Sequence, residues 1–311
     1  MSRIVTVAGA QLGPIERDES RASVVKRLLD LMRRAKDRGA DVIVYPELAL
    51  TTFFPRWAIE DQAEVDSFFE REMPGPETAV LFDEAKKLGI GFHLGYAELI
   101  EEGGALHRYN TAILVDKAGN TVGKYRKIHL PGHAEIEPER QFQHLEKRFF
   151  EVGNLGFKVW NTMGGKMGVL ICNDRRWPEA FRVLGLQGVE MVMIGYNTPT
   201  LNGLMFEPPH LRSFHNRLSM QAGAYQNATW VVGVAKAGNE GDVDMMGESA
   251  IVAPTGEVVA LCSTLEDELM IADCDLDAGR YLKDTTFKFS AHRRPEHYGL
   301  IVETVGEVDP R

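Results

Sequence analysis

Cysteine is scarce in this sequence: Cys172, Cys262 and Cys274 are the only three in 311 residues. An odd count at this density excludes a disulfide framework of the secreted kind. Cys262 and Cys274 lie in apolar runs and read as buried thiols. Positive charge is in deficit as well. Lys and Arg number 35 against 45 Asp and Glu, for a formal net charge of −10, which argues against a nucleic-acid binder with its usual basic face. No window reaches the roughly 18 apolar residues of a membrane span. No secretory leader is expected, since Met1, Ser2 and Arg3 run straight into strand-like residues. Low-complexity and Ser/Gly-rich linker stretches are missing. These absences describe an acidic protein of a reducing compartment, expected to be cytoplasmic, with neither membrane nor nucleic acid as partner.

What is present is a chain long enough to bury a large core. Val- and Ile-rich runs alternate with helical patterns. Strands are predicted at Ile4–Ala10, Asp41–Tyr45, Ile90–Tyr96, Tyr109–Asp116 and Thr121–Tyr125. A helix over Ser20–Arg38 sets Val24, Leu28, Leu29 and Met32 near one face, and Gly39 ends it. A second helix is predicted over Pro76–Leu88. The style repeats after residue 160. Strands are predicted at Lys166–Ile171, Glu190–Ile194, Trp230–Ala235, Glu248–Ala253, Glu257–Leu261 and Leu269–Cys274, with helices over Pro178–Leu186 and Pro208–Asn227. This pattern predicts one α/β domain over residues 1–311 with helices on both sides of sheets. The residues from about 291 are expected to form an arm that packs on a neighbouring subunit.

Reactive groups in α/β proteins gather at the carboxyl ends of strands, and three such ends carry chemistry here. In Val42-Ile43-Val44-Tyr45-Pro46-Glu47, Pro46 stops the ladder and a carboxylate follows at once. In Gly123-Lys124-Tyr125-Arg126-Lys127-Ile128-His129, continued alternation would put Lys127 on the face opposite Lys124. In Val169-Leu170-Ile171-Cys172-Asn173-Asp174-Arg175-Arg176-Trp177-Pro178, an apolar strand stops at a thiol and a helix follows, an elbow geometry. A nearby helix start and nearby cations are expected to favour the thiolate. Taken singly, the first two segments also fit solvated loop residues, with Lys124, Arg126 and His129 as surface groups, and the third fits a structural cysteine.

Together, the motifs Tyr45-Pro46-Glu47-Leu48, Arg126-Lys127-Ile128-His129-Leu130 and Ile171-Cys172-Asn173-Asp174 resemble the Glu, Lys and Cys signatures of the nitrilase superfamily. Further segments resemble its N-carbamoyl-D-amino acid amidohydrolase branch: Leu48 to Trp57, Lys127 to His133, Cys172 to Pro178, Tyr196 to Thr200 and Ser219 to Gly223. The similarity covers nearly the whole chain and departs most at the loop Leu201 to Pro209. It implies a four-layer α-β-β-α sandwich, and a homodimer or homotetramer joined through helix layers and C-terminal arms. It implies hydrolysis of N-carbamoyl-D-amino acids to D-amino acid, ammonia and carbon dioxide, with no cofactor and no metal.

Chemistry then assigns roles. An amide carbonyl needs an activated nucleophile, which Cys172 would supply with Glu47 as base. Lys127 and the Asn173 N–H would receive the oxyanion. The resemblance adds Glu146 as a partner that orients Lys127, and His129 and His144 as groups lining the site. Arg175 and Arg176 suit a substrate carboxylate, with Arg176 favoured by the resemblance. Asn197 and Thr198, past another strand end, are expected to hydrogen-bond the substrate. A metal hydrolase is disfavoured because Pro131 and Gly132 separate His129 from His133, so the two cannot share a helical face. A β-ureido acid, simple amide or nitrile substrate, or a non-enzymatic scaffold, are the competing readings.

Overall fold

The computed structural model describes residues 2–140, 142–201 and 207–309. The first half runs through β1 (Ile4–Gln11), α1 (Arg21–Asp37), β2 (Val42–Val44), α2 (Gln62–Asp66), α3 (Ala79–Leu88), β3 (Gly91–Glu102), β4 (Ala105–Val115), β5 (Thr121–Arg126) and the single turn α4 (Glu146–Phe149). The second half runs through β6 (Val159–Thr162), β7 (Gly165–Ile171), α5 (Pro178–Leu186), β8 (Met191–Tyr196), α6 (Pro209–Asn227) and β9 (Trp230–Ala235). It ends with β10 (Ala237–Glu240), β11 (Val243–Met246), β12 (Ala250–Val252), β13 (Val258–Leu261), β14 (Glu268–Asp275) and, among the described residues, three short α-helices and one 3-10 turn.

Two six-stranded sheets form, ordered β14-β1-β2-β3-β4-β5 and β13-β12-β9-β8-β7-β6. Each has a parallel centre, β1-β2-β3 in one and β7-β8-β9 in the other, flanked by antiparallel strands. Alternation decides how they stack. Val42 and Val44 of β2 join the core shared with Val169, Ile171 and Met193 of the other sheet. Ile43 packs the opposite way with Leu28 and Met32 of α1 and Phe82 of α3. On the far side, Phe181 and Leu184 of α5 and Met220 and Ala224 of α6 cover the second sheet. The result is the expected order of helices, sheet, sheet, helices, and it brings the carboxyl ends of β2, β5, β7 and β8 together.

Local signals explain the boundaries. Ser20 caps α1 by accepting from the Ser23 N–H, and Gly39 takes up φ +86° past its end. Pro178 opens α5 where its missing N–H costs nothing. Two expectations needed extension: β3 and β4 run on to a tight turn at Gly103-Gly104, and the hairpin β10-β11 was not foreseen. Arg126 is also not a surface group. It is buried and bound by Glu98 and Glu102, with its guanidinium over the Tyr109 ring. Cys262 and Cys274 are buried free thiols. Beyond residue 288 the helices Phe289–His292 and Gly299–Glu303 bury none of their residues. Residues 202–206 of the divergent loop lie outside the described residues. Among the described residues no helix is long and apolar enough to cross a membrane.

Candidate active site

Glu47 follows β2 and is fully buried. Its carboxylate accepts four hydrogen bonds. Lys127 Nζ and Asn110 Nδ2 each donate to Oε1 at 2.8 Å; the Asn197 N–H and Nδ2 donate to Oε2 at 3.0 and 3.1 Å. Gly95 of β3 and Gly195 of β8 make room for this segment. A β-carbon on Gly95 would lie 2.6 Å from the Pro46 oxygen, and one on Gly195 2.6 Å from the Pro46 carbonyl carbon. The acid is thus pinned between the two sheets.

Lys127 comes directly after β5, and its N–H donates to the Asn110 carbonyl at 2.8 Å. Its ammonium also donates to Glu146 Oε2 at 2.5 Å. Two of its three protons are therefore committed to carboxylates and the third is left for another acceptor. Burial works against this charge, but Cys172, Glu146 and Glu47 outweigh it and hold the lysine well above its ordinary range. Burial likewise works against the Glu146 carboxylate, and Lys127 and His144 still keep it below the usual carboxylate range. Glu146 is fully buried at the start of α4, and His144 Nε2 lies 3.3 Å from its other oxygen.

Cys172 directly follows β7 in the left-handed region, at φ +47°. A non-glycine residue there costs about 1–3 kcal/mol and persists only where the surroundings impose it. Asp174 supplies much of that imposition. It is buried and accepts from the Ile171 N–H, Tyr125 Oη, the His129 N–H and His129 Nδ1 at 2.8–3.0 Å. The thiol donates to the Asn197 carbonyl at 3.5 Å. Asn173 follows in the first turn of a short 3-10 segment, where an N–H has no partner within the helix. Donor atoms of Glu47, Glu146 and Cys172 lie within 4.8 Å of one another. Three such ligands could suit a cation, but the Lys127 ammonium already occupies both carboxylates.

The surroundings do not favour the thiolate, contrary to the sequence expectation. Burial pushes the Cys172 thiol up to about 11, and the Glu47 carboxylate adds to it; Lys127 and Arg175 pull down and are outweighed.

A cavity of about 400 Å³ opens onto Cys172. Of the expected substrate-binding residues, His144, Asn173, Arg175, Arg176, Asn197 and Thr198 line it. Three expectations change. His129 is not among its lining residues; Asp174 holds its ring, which stacks on Trp177 at 5.1 Å. His133, considered only as half of a rejected metal pair, lines the cavity instead. Arg175 is consumed by the protein: it donates to the Cys172 carbonyl at 2.7 Å, Thr198 Oγ1 at 2.9 Å and Asn216 Oδ1 at 2.8 Å, and lies over the Tyr196 ring. Arg176 is exposed and has no acceptor among the described residues. Asn197 spends its amide N–H groups on Glu47, while its buried Oδ1 has no partner among the described residues. Asn110, Asp174 and Arg212 were not identified from sequence. Asn110 lies 63 positions from Glu47 and no local pattern marks it or Arg212; Asp174 stands in the Cys172 motif itself, but its partners Tyr125 and His129 come to it only in the fold.

A doubly sheeted sandwich with Cys, Glu and Lys at its strand ends defines a class of thiol-bearing hydrolases. Residues 6–284 match the carbon-nitrogen hydrolase family model, and the chain belongs to that family. It is 31% identical to N-carbamoylputrescine amidase of Solanum lycopersicum, over 98% of this chain and 97% of that one. It is also 31% identical to a nitrilase of Pyrococcus abyssi, over 88% and 90%. A carbon-nitrogen hydrolase from Helicobacter pylori superposes with a TM-score of 0.83 at 21% identity, covering 97% of this chain and 99% of the other.

Proposed function

We propose that this enzyme hydrolyses N-carbamoyl-D-amino acids to the D-amino acid, ammonia and carbon dioxide through a covalent intermediate on Cys172. One observation carries the choice of an anionic substrate. The described residues lining the cavity include Arg140, Arg175, Arg176 and Arg212 against one carboxylate, Glu207. The cationic tail of a carbamoyl polyamine would meet repulsion there. The hand of the substrate rests on the motif resemblance.

In this reading, binding brings the ureido carbon to Sγ and Glu47 takes the thiol proton as the S–C bond forms. The third Lys127 proton and the Asn173 N–H receive the oxyanion. Glu146 holds Lys127 in place. Collapse expels the first amine with the proton from Glu47. Glu47 then takes a proton from water, which attacks the thiocarbamoyl carbon, and Cys172 leaves as the thiol with the proton that Glu47 returns. The carbamic acid released loses carbon dioxide. Arg176 binds the substrate carboxylate, and Asn197 Oδ1 accepts from the ureido N–H. The exposed C-terminal helices are assigned to contacts between subunits.

The test is release of ammonia and amino acid from N-carbamoyl-D-phenylglycine, its L-enantiomer and N-carbamoylputrescine, with Cys172→Ala alongside. Turnover of the D form alone, lost in the variant, is expected. Preferential turnover of N-carbamoylputrescine would overturn the anionic reading and favour the activity named for the plant relatives.

A further inference from the structure

Arg212 lies in the first turn of α6, is 5% exposed and lines the same cavity as Cys172. Its Nε and Nη1 have no hydrogen-bond partner among the described residues. The nearest carboxylate, Glu207, stands 3.6 Å from Nη1, beyond hydrogen-bonding distance, and bonds His215 through its other oxygen. The other cavity arginines differ. Arg175 is fully engaged and Arg140 is paired with Glu137. That leaves two guanidinium groups facing the cavity with donors to spare, Arg176 and Arg212.

A buried guanidinium with unmet donors is costly, and such a group in a binding cavity signals an acceptor that arrives with the ligand. Burial weakens the Arg212 charge, Glu207 offsets this only in part and Arg175 adds to it, a strain that an arriving anion would relieve. The start of a 19-residue helix adds a positive potential at the same place. An N-carbamoyl amino acid with a neutral side chain brings one carboxylate and satisfies one of the two groups.

We propose that the natural substrate is dianionic, an N-carbamoyl derivative of an acidic amino acid whose side-chain carboxylate binds Arg212 while Arg176 takes the α-carboxylate. The proposal rests on the ureido reading of this site and narrows it to one substrate class.

The test separates binding from chemistry. Cys172→Ala protein is titrated calorimetrically with N-carbamoyl-D-glutamate and its neutral isostere N-carbamoyl-D-glutamine. The acid is expected to bind at least about tenfold more tightly, the scale of one charge-assisted pair. Adding Arg212→Gln removes that difference, and Arg212→Lys retains part of it. Equal affinity for the two ligands overturns the proposal. So does equal weakening of both by Arg212→Gln, which would place Arg212 on the shared α-carboxylate or in the wall only. Wild-type protein is assayed for ammonia with both ligands. Selective binding of the acid without hydrolysis keeps the anion site and overturns the ureido chemistry; hydrolysis of both without preference does the reverse. Binding of neither overturns both.

Discussion

Gly195 and Glu47 meet backbone to backbone across the two sheets, so closely that a β-carbon on Gly195 would overlap the Glu47 nitrogen and lie 2.6 Å from the Pro46 carbonyl carbon. The glycine is there for proximity, since its φ is not in the left-handed region. Gly195→Ala must push the Glu47 segment or β8 aside. Displacement of a catalytic group by a fraction of an ångström to an ångström costs about 100-fold in rate. The expected result is a kcat lowered by about that factor with a cooperative melt only a few degrees lower. A near-normal kcat would show that the segment relaxes without moving the carboxylate.

The resting state of Cys172 gives a second expectation. With the thiol pushed up to about 11, only about one molecule in a thousand is thiolate at pH 8. Alkylation by iodoacetamide, followed at Cys172 by mass spectrometry, should therefore be slow at pH 7 and climb about tenfold per pH unit to pH 10. Cys262 and Cys274, buried and raised to about 12, contribute little over that range. A rate already at its plateau by pH 7 would mean that Glu47 holds the proton before substrate arrives.

His93 links stability to pH. It is fully buried in β3 and its Nδ1 donates to the Tyr45 carbonyl at 3.1 Å, two residues before Glu47. Burial lowers it to about 4. The unfolded chain takes up this proton below about pH 6.5 and the native state does not until about 4, so stability falls as pH drops through that window. The gap of about 2.5 units corresponds to about 3 kcal/mol at its lower end. Urea unfolding at pH 7, 5.5 and 4.5 should show the decline, and His93→Gln, which keeps a donor and cannot titrate, should flatten it by one proton's worth. An unchanged slope would assign the acid sensitivity elsewhere.

The parallel cores of both sheets were legible because Val- and Ile-rich runs between helices have few other uses. The outer half of β3 was not, because Glu98, Glu101 and Glu102 look like loop residues until Arg126, Lys124 and the β4 register supply their partners. The site divides the same way. Glu47, Lys127 and Cys172 each sit at a strand end that sequence can mark. Asn110 acts on a residue 63 positions away and Asp174 on one 45 away; the strand order β2-β3-β4 within one sheet brings the first pair together, and the packing of sheet on sheet brings the second. Arg175 and Arg176 looked alike as neighbours. A single step along the 3-10 segment sends Arg175 inward to Asn216 and leaves Arg176 exposed beside the cavity.

The loop after Glu47 is held by a second buried ion pair. Lys236, just past β9, donates to the Thr51 carbonyl at 2.7 Å and to Glu240 Oε1 at 3.0 Å, and the same Glu240 oxygen accepts from the Phe53 N–H at 3.2 Å. Both side chains are fully buried, and burial lowers the lysine against the pull of Glu240. Removing one partner leaves the other as an uncompensated charge in the core. Lys236→Met should therefore cost about 3–5 kcal/mol. Removing both charges, with Lys236→Met and Glu240→Gln together, should cost less than the sum of the single losses by at least about 1 kcal/mol. Urea unfolding of the four proteins closes the cycle. Because the clamped residues begin four positions after Glu47, the single variant should also lose kcat at temperatures where it remains folded. Strict additivity would mean that the two charges act separately and that the loop is positioned by its apolar contacts instead.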